Sequence, residues 1–334
     1  MALSALFIGG TGVISTACAR LADEAGFAVT LLNRGLTSTR PVPPGAEVLT
    51  ADIRDSAAVT EALAGREFDV AADFLTFTPG QLRGQLDLLR GRVGQYIFIS
   101  SASAYQTPPA RIPVTESTPL RNPYLQYSRD KIACEDILVR AYREDGFPAT
   151  IVRPSHTYDH TSVPFDAGGW TVLDRMRRGA PVVVHGDGTS PWTLTHHHDF
   201  AGAFTGLLAA PTAVGDSFHI TSDETLTWDQ IARILGAAVG AEPQLVHVPS
   251  DIIAAVDPVW GGSLLGDLAH PLVFDNSKIK SFVPGWAARV PFAQGAREIV
   301  AWHDADPARR VIDQRLDATM DYLAEQLRPS RFAR

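Results

Sequence analysis

Tyr127 and Lys131 stand four residues apart in Tyr127-Ser128-Arg129-Asp130-Lys131, and on a helix that spacing puts a phenol and an ammonium on one face. A phenol with an ordinary pKa near ~10 is a poor base at neutral pH. A lysine cation nearby favours the phenolate, which can then exchange a proton with a substrate hydroxyl. A further source of hydroxyls lies upstream in Ser100-Ser101-Ala102-Ser103.

The redox partner is read from the other end of the chain. An apolar run ends in Gly9-Gly10-Thr11-Gly12-Val13-Ile14-Ser15 and opens a helical stretch. Gly9 can turn tightly, Gly12 lets a pyrophosphate approach the backbone, and the helix N-terminus offers N–H groups and a positive dipole end. Gly9, Thr11, Gly12, Val13 and Ile14 are therefore expected to hold a dinucleotide. The third glycine of the fingerprint is replaced by Ser15, which is small enough to be tolerated. After the second apolar run comes Asn33-Arg34-Gly35. An Asp or Glu there would bind a ribose 2'-hydroxyl, whereas Arg34 offers a fork for a 2'-phosphate, so NADP is favoured over NAD. Asp52 is a candidate adenine contact, and Lys131 is expected to hold the nicotinamide ribose as well.

These groups need a scaffold. Ala5 to Ile8, Ala28 to Leu32, Glu47 to Leu49, Val70 to Leu75 and Tyr96 to Ile99 read as strands, with helices at about 13 to 25, 56 to 64, 79 to 91 and 126 to 145 between them. Short buried runs alternating with helices predict a doubly wound α/β domain of Rossmann type around a parallel sheet. After a strand at Thr150 to Val152, a passage marked by Pro154, Pro164, Gly168 and Gly169 precedes a helix near Trp170 to Arg178. Phe200 to Ala209 (helix) and Ser217 to Thr221 (strand) return to the sheet, and residues after 223 read as mixed helix and loop. The expected division is residues 1–155 plus about 195–222 as the dinucleotide-binding domain, with about 156–194 plus 223–330 as a smaller mixed substrate-binding lobe.

Composition excludes other classes. With 45% hydrophobic and 20% charged residues the 334-residue chain is an ordinary globular protein, and its net charge of -8 provides no basic field for nucleic acid. No run approaches the ~18 apolar residues of a membrane span. The start, Met1 to Ile8, has no basic leader, so a cytoplasmic location is expected. Cys18 and Cys134, both in helical stretches, suit a reducing compartment.

Taken together, the glycine turn, the serine cluster before Tyr105 and the Tyr127/Lys131 pair resemble the extended short-chain dehydrogenase/reductase superfamily, in its NAD(P)-dependent epimerase/dehydratase branch, over essentially the whole chain. The resemblance places the catalytic Ser/Thr on Ser101, with Ser103 a second contact, and matches Arg153-Pro154-Ser155-His156-Thr157-Tyr158 and Gly186-Asp187-Gly188 with Asp199 to later family segments. It departs in the substrate region. Trp192 stands where sugar-nucleotide epimerases carry a diphosphate-gripping arginine, and His156 replaces a substrate-binding asparagine. Ala72-Asp73-Phe74-Leu75-Thr76 lacks the usual His-Leu-Ala-Ala. Asn33-Arg34-Gly35 and Phe274-Asp275-Asn276-Ser277-Lys278 look more like an atypical subgroup that includes plastid stem-loop RNA-binding proteins.

The reading is hydride transfer at a secondary alcohol or ketone of a sugar-like or sugar-nucleotide substrate, with epimerase-like chemistry ahead of an NADPH-dependent ketoreductase of a small non-nucleotide substrate. A non-catalytic nucleotide-sensing or RNA-binding protein of the same fold is the alternative from another class. Ser103, His156, Tyr158, Trp192 and His196 are the substrate-pocket candidates. His196-His197-His198-Asp199 invites a metal, but adjacent histidines rarely converge on one ion and none is expected. Extended members often pair through two sheet-domain helices, which makes a homodimer one reading; Leu138, Val139 and Ala141 fit that or an intramolecular contact equally.

Overall fold

In a computed structural model, residues 2–36, 39–165 and 169–326 are described; Gly168 and the last residues of the expected lobe lie outside them. The first strand, β1 (Ser4–Ile8), is buried over its last four residues and pairs in parallel on both sides, with β2 (Ala28–Asn33) and β4 (Val70–Asp73). β3 (Glu47–Thr50) extends one edge; β5 (Tyr96–Ile99), β6 (Ala149–Pro154) and, later in the chain, β11 (Ser217–Ile220) extend the other. The result is a seven-stranded sheet of order β11-β6-β5-β4-β1-β2-β3. Its every pairing is parallel, as apolar runs joined by helices require.

Helices cover both faces. On one lie α2 (Ser56–Ala62), α3 (Pro79–Leu89) and α4 (Gln126–Asp145), whose Val59, Leu82, Leu86, Cys134 and Leu138 join a cluster with Leu6, Ile8 and Phe98 of the sheet. On the other, α1 (Ser15–Glu24) and α6 (His197–Thr205) put Ala17, Cys18, Phe200 and Phe204 against Phe7, Ile97 and Phe218. Local chemistry sets the helix ends. Thr78 and Gln81 form a reciprocal capping box with Pro79 in the first turn of α3, and α4 stops at Gly146, which takes the left-handed conformation (φ 68°) that glycine adopts freely. Leu138 and Ala141 are buried in this core, and Val139 packs against it partly buried.

A third cluster gathers away from the sheet. α5 (Trp170–Arg177), β8 (Pro181–His185) and α7 (Trp228–Ala238) supply Leu173, Met176, Val182 to Val184, Trp228, Ile231 and Leu235, and later helices add Ile299 and Met320. Short strands thread it: β7 (His156–Tyr158) pairs with β10 (Leu194–His196), β9 (Pro191–Trp192) with β12 (Leu226–Thr227), and β8 with β13 (Gln244–Val248). β13 falls where mixed helix and loop was expected; at five residues, only Val248 of them fully buried, it gives little pattern to read. Helix α6 begins at His197, three residues before the expected start, because His196 caps it by accepting the His198 N–H.

Both cysteines are completely buried and unpaired, and burial pushes the Cys18 thiol up and that of Cys134 to about 11. Among the described residues no helix is long and apolar enough to cross a membrane.

Candidate active site

At the carboxyl edge of the sheet, where parallel strands hand over to helices, a cleft of about 540 Å³ runs from the glycine turn to Tyr127. Gly9, Thr11, Gly12, Val13, Ile14, Asn33, Arg34 and Lys131 all line it. Gly9 sits at φ 86°, and a Cβ there would lie 2.4 Å from Leu75 Cγ, so both its conformation and its neighbour demand glycine. Ser15 does more than fit: its hydroxyl donates to the Gly9 carbonyl (2.6 Å) and accepts from the Gly12 N–H (2.7 Å), stitching the turn to the first residue of α1. Ile14 caps that helix without a side-chain bond, which leaves the cap open to an anionic ligand.

The described lining of this cleft carries three cations, Arg34, Arg40 and Lys131, and no carboxylate. Arg40 is fastened to the buried Asp159 (2.6 Å) and to Thr161 (2.5 Å). Arg34 has no hydrogen bond or ion pair to a described residue. Asp52, expected against adenine, is outside the lining. It turns onto Arg54 (2.6 Å), whose guanidinium holds its carboxyl well below the usual range.

Ser101, Tyr127 and Lys131 meet on the same wall. β5 ends at Ile99 and delivers Ser101; α4 delivers Tyr127 and, one turn on, Lys131. The Tyr127 ring is 43% exposed, toward the cleft, beside Phe77. Burial raises its pKa, the Asp267 carboxyl adds to that, and a hydrogen bond with Ser101 works against it. Lys131 is almost wholly buried and donates to the carbonyls of Thr76 and Ile99 (2.7 Å each), with its ammonium 5.8 Å from the Tyr127 ring centre. Burial lowers it to about 8, against the pull of Asp73. Asp73 in turn holds its own turn closed, accepting from the N–H groups of Leu75 and Thr76 and from the hydroxyls of Thr76 and Tyr96.

Ser103 is a relay. Its Oγ is 2.9 Å from that of Ser101 and takes a hydrogen bond from Ser128 (2.8 Å), so the serine loop is pinned to α4. Beneath them Glu135 binds Ser100 Oγ (2.5 Å) and pairs with the buried Arg153 (2.5 Å), which also donates to Tyr105. Asn122 adds a second clamp, donating to the carbonyls of Ser103 (2.9 Å) and Gly266 (2.7 Å).

A second cavity, of about 370 Å³, shares Ser101, Pro154, Ser155 and Thr157 with the first. Ser103, His156 and Trp192 line it as expected, with Trp192 Nε1 donating to His156 Nδ1 (3.2 Å) and burial keeping that imidazole neutral down to about pH 4. Tyr158 and His196 do not reach it. Tyr158 is packed beneath Phe292, so close to Gly295 that a Cβ there would be 2.4 Å from its ring, and His196 binds Glu298 (3.0 Å) at the head of α6. His198 instead meets Arg20 (3.0 Å), while Asp199 accepts from the N–H groups of Arg289 and Val290. Trp170 stacks on His303 in the third cluster. The sequence reading missed Asp267, which lines this cavity from a π-helical turn, Leu264–Leu268. Such turns cluster at functional sites, but no spacing signal marks this one.

Residues 82–220 match the NAD dependent epimerase/dehydratase family. The chain is 26% identical over 292 residues to the 2'-dehydrokanamycin reductase of Streptomyces kanamyceticus, covering 86% of this chain and 81% of that one. It is 27% identical to the chloroplast stem-loop binding protein of 41 kDa b of Arabidopsis thaliana, over 72% of this chain and 65% of the relative. In fold it is similar to the epimerase Mth375 of Methanothermobacter thermautotrophicus (TM-score 0.75, 15% identity, 92% of this chain and 94% of that one). It is also similar to the UDP-glucose 4-epimerase of Bifidobacterium longum solved with NAD+ and UDP (TM-score 0.72, 17% identity, 92% and 100%). With its parallel sheet and its glycine turn, the chain shares the fold of these epimerase structures, and over residues 82–220 it is similar to the NAD dependent epimerase/dehydratase family.

Proposed function

We propose that the protein is an NADPH-dependent reductase of a ketone on a polyhydroxylated, sugar-like substrate that carries no nucleoside diphosphate. The observation that carries this reading is the contrast across Ser101 and Tyr127: the cleft on one side is lined by three cations, while the cavity on the other has no Lys or Arg among its described lining residues. A dinucleotide suits the first; a diphosphate in the second would be desolvated without a counter-charge. The 2'-dehydrokanamycin reductase relative is named for reduction of a substrate without a nucleotide, which supports the same choice over epimerisation of a sugar nucleotide.

The residues fit a bound dinucleotide, since Gly9 can carry no side chain and the described lining of the cleft has no carboxylate. Gly12, Val13 and Ile14 would cradle its pyrophosphate, Arg34 its 2'-phosphate and Lys131 its nicotinamide ribose. A reduced nicotinamide bound there would supply the hydride that takes a carbonyl to the alkoxide level. Tyr127 Oη gives the alkoxide its proton. Ser101 Oγ orients the carbonyl oxygen by donating to it. The Lys131 ammonium lowers the cost of the phenolate left behind. Ser103, Ser128 and Asn122 hold the Ser101 hydroxyl in place.

Steady-state consumption of NADPH with ketose and keto-aminoglycoside probes tests the proposal, together with assay of nucleotide released on denaturation. Net NADPH oxidation, reduced about 10²-fold or more by Tyr127→Phe with cofactor affinity retained, is expected. A protein that holds stoichiometric NAD through purification and consumes no NADPH would be recycling its cofactor in place, and the reductase reading would fall.

A further inference from the structure

Among the described residues, the second cavity is lined by one carboxyl group, and no charged partner answers it. Asp267 has no side-chain hydrogen bond or ion pair to a described residue, and no Lys or Arg is among the described residues lining its cavity. The titratable groups that face it are His156 and Tyr127. His156 is neutral and its Nδ1 already accepts from Trp192; Tyr127 is an uncharged phenol whose own pKa the carboxyl raises. Leu125, Leu268, Leu272 and Phe274 supply the apolar surroundings, and burial among them pushes the Asp267 carboxyl up to about 7.

The placement of this group is rigid. Gly266 packs so tightly on Leu125 that a Cβ would lie 2.3 Å from Leu125 Cγ, and the Gly266 carbonyl is held by Asn122, which also holds Ser103. Asp267 is thus fixed relative to Ser101 and to the helix that carries Tyr127. Half-buried on the wall of a cavity that it shares with Ser101, and without a partner among the described residues, this carboxyl is available to a cation brought by the ligand.

We propose that Asp267 is a specificity residue that binds an ammonium group of the substrate, so that the sugar-like ketone reduced here is an amino sugar or aminocyclitol glycoside. This rests on the reductase reading for which cavity holds substrate, and deepens it by naming the charge of that substrate. The empty carboxyl takes up its proton near neutrality; an ammonium in the cavity displaces that proton and pairs with the carboxylate.

The test uses the full chain saturated with NADP+, with kanamycin and fully N-acetylated kanamycin as probes, titrated by calorimetry. The expected result is tighter binding of the cationic probe by about tenfold or more in the native protein and equal binding of the two in Asp267→Asn, with NADPH affinity unchanged. An unaltered preference in Asp267→Asn, or native protein that binds kanamycin no better than its neutral derivative, would overturn the proposal. If Asp267→Asn does not fold, the pH dependence of native binding decides: kanamycin affinity falls as pH drops through about 7, where the carboxyl gains its proton, whereas a flat profile refutes it. Failure of the reductase reading looks different, since amine binding through Asp267 would persist in a protein that consumes no NADPH.

Discussion

Replacing Arg34 by alanine separates the two dinucleotides. Arg34 follows β2 at the cleft rim with no hydrogen bond or ion pair to a described residue, and the Asp52 carboxyl that feels its charge is held by Arg54, so its guanidinium is available; Arg40, the other arginine in the lining, is engaged with Asp159 and Thr161. A hydrogen bond between charged groups contributes about 1.5–3 kcal/mol. Because Arg34 is exposed and screened by solvent, the lower part of that range applies, on the order of 1.5–2 kcal/mol, which is a factor of about 10–30 in Kd. Arg34→Ala should therefore weaken NADPH by that factor and leave NADH within about twofold, since NADH has no 2'-phosphate to lose. Fluorescence titration with both nucleotides at two salt concentrations measures it, and the NADPH difference should shrink at the higher salt. Equal weakening of the two, or a native preference for NADH, would refute the assignment of Arg34 to the phosphate.

Three further outcomes are expected. Ser15→Ala removes both hydroxyl bonds of the glycine turn and should weaken both nucleotides alike, by about three- to tenfold, in the same titration. Glu135→Ala leaves Arg153 buried without its carboxylate, a loss of about 3–5 kcal/mol; calorimetry should show a Tm lower by on the order of 5 °C. For an amine-bearing ketone, kcat/KM should rise with pH as Asp267 ionises near 7 and fall as Lys131 loses its proton near 8. The first limb should vanish in Asp267→Asn, and a neutral ketone should show the second limb alone.

The parts of the candidate site legible in the sequence are those set by local spacing. The glycine turn, Arg34, Ser101 and the Tyr127/Lys131 pair each depend on a handful of neighbouring residues and one strand or helix end, and these elements lie within a few residues of the expected bounds. The misplaced candidates depend on chain far away. Tyr158 is removed from the cavity by the helix Phe292–Asp304, and His196 is drawn off by Glu298 on that same helix, about a hundred residues downstream. Asp52 had a partner two residues on, Arg54, that a reading focused on the ligand passed over. Asp267 becomes conspicuous only when the absence of any lysine or arginine around it is known, and that absence belongs to the assembled cavity and to no motif.

The two buried cysteines make the protein a chemical blank for thiol reagents. Cys18 lies against the sheet under α1, Cys134 is enclosed beneath α4, and burial raises the pKa of each, so the reactive thiolate is scarce as well as shielded. A single cysteine introduced at Leu36, a 78% exposed residue of the cleft lining, would then take a maleimide dye alone, with no need to strip the native sulfurs from the core. Dye emission at that rim could follow nucleotide arrival and departure turnover by turnover, in a protein whose packing has not been touched.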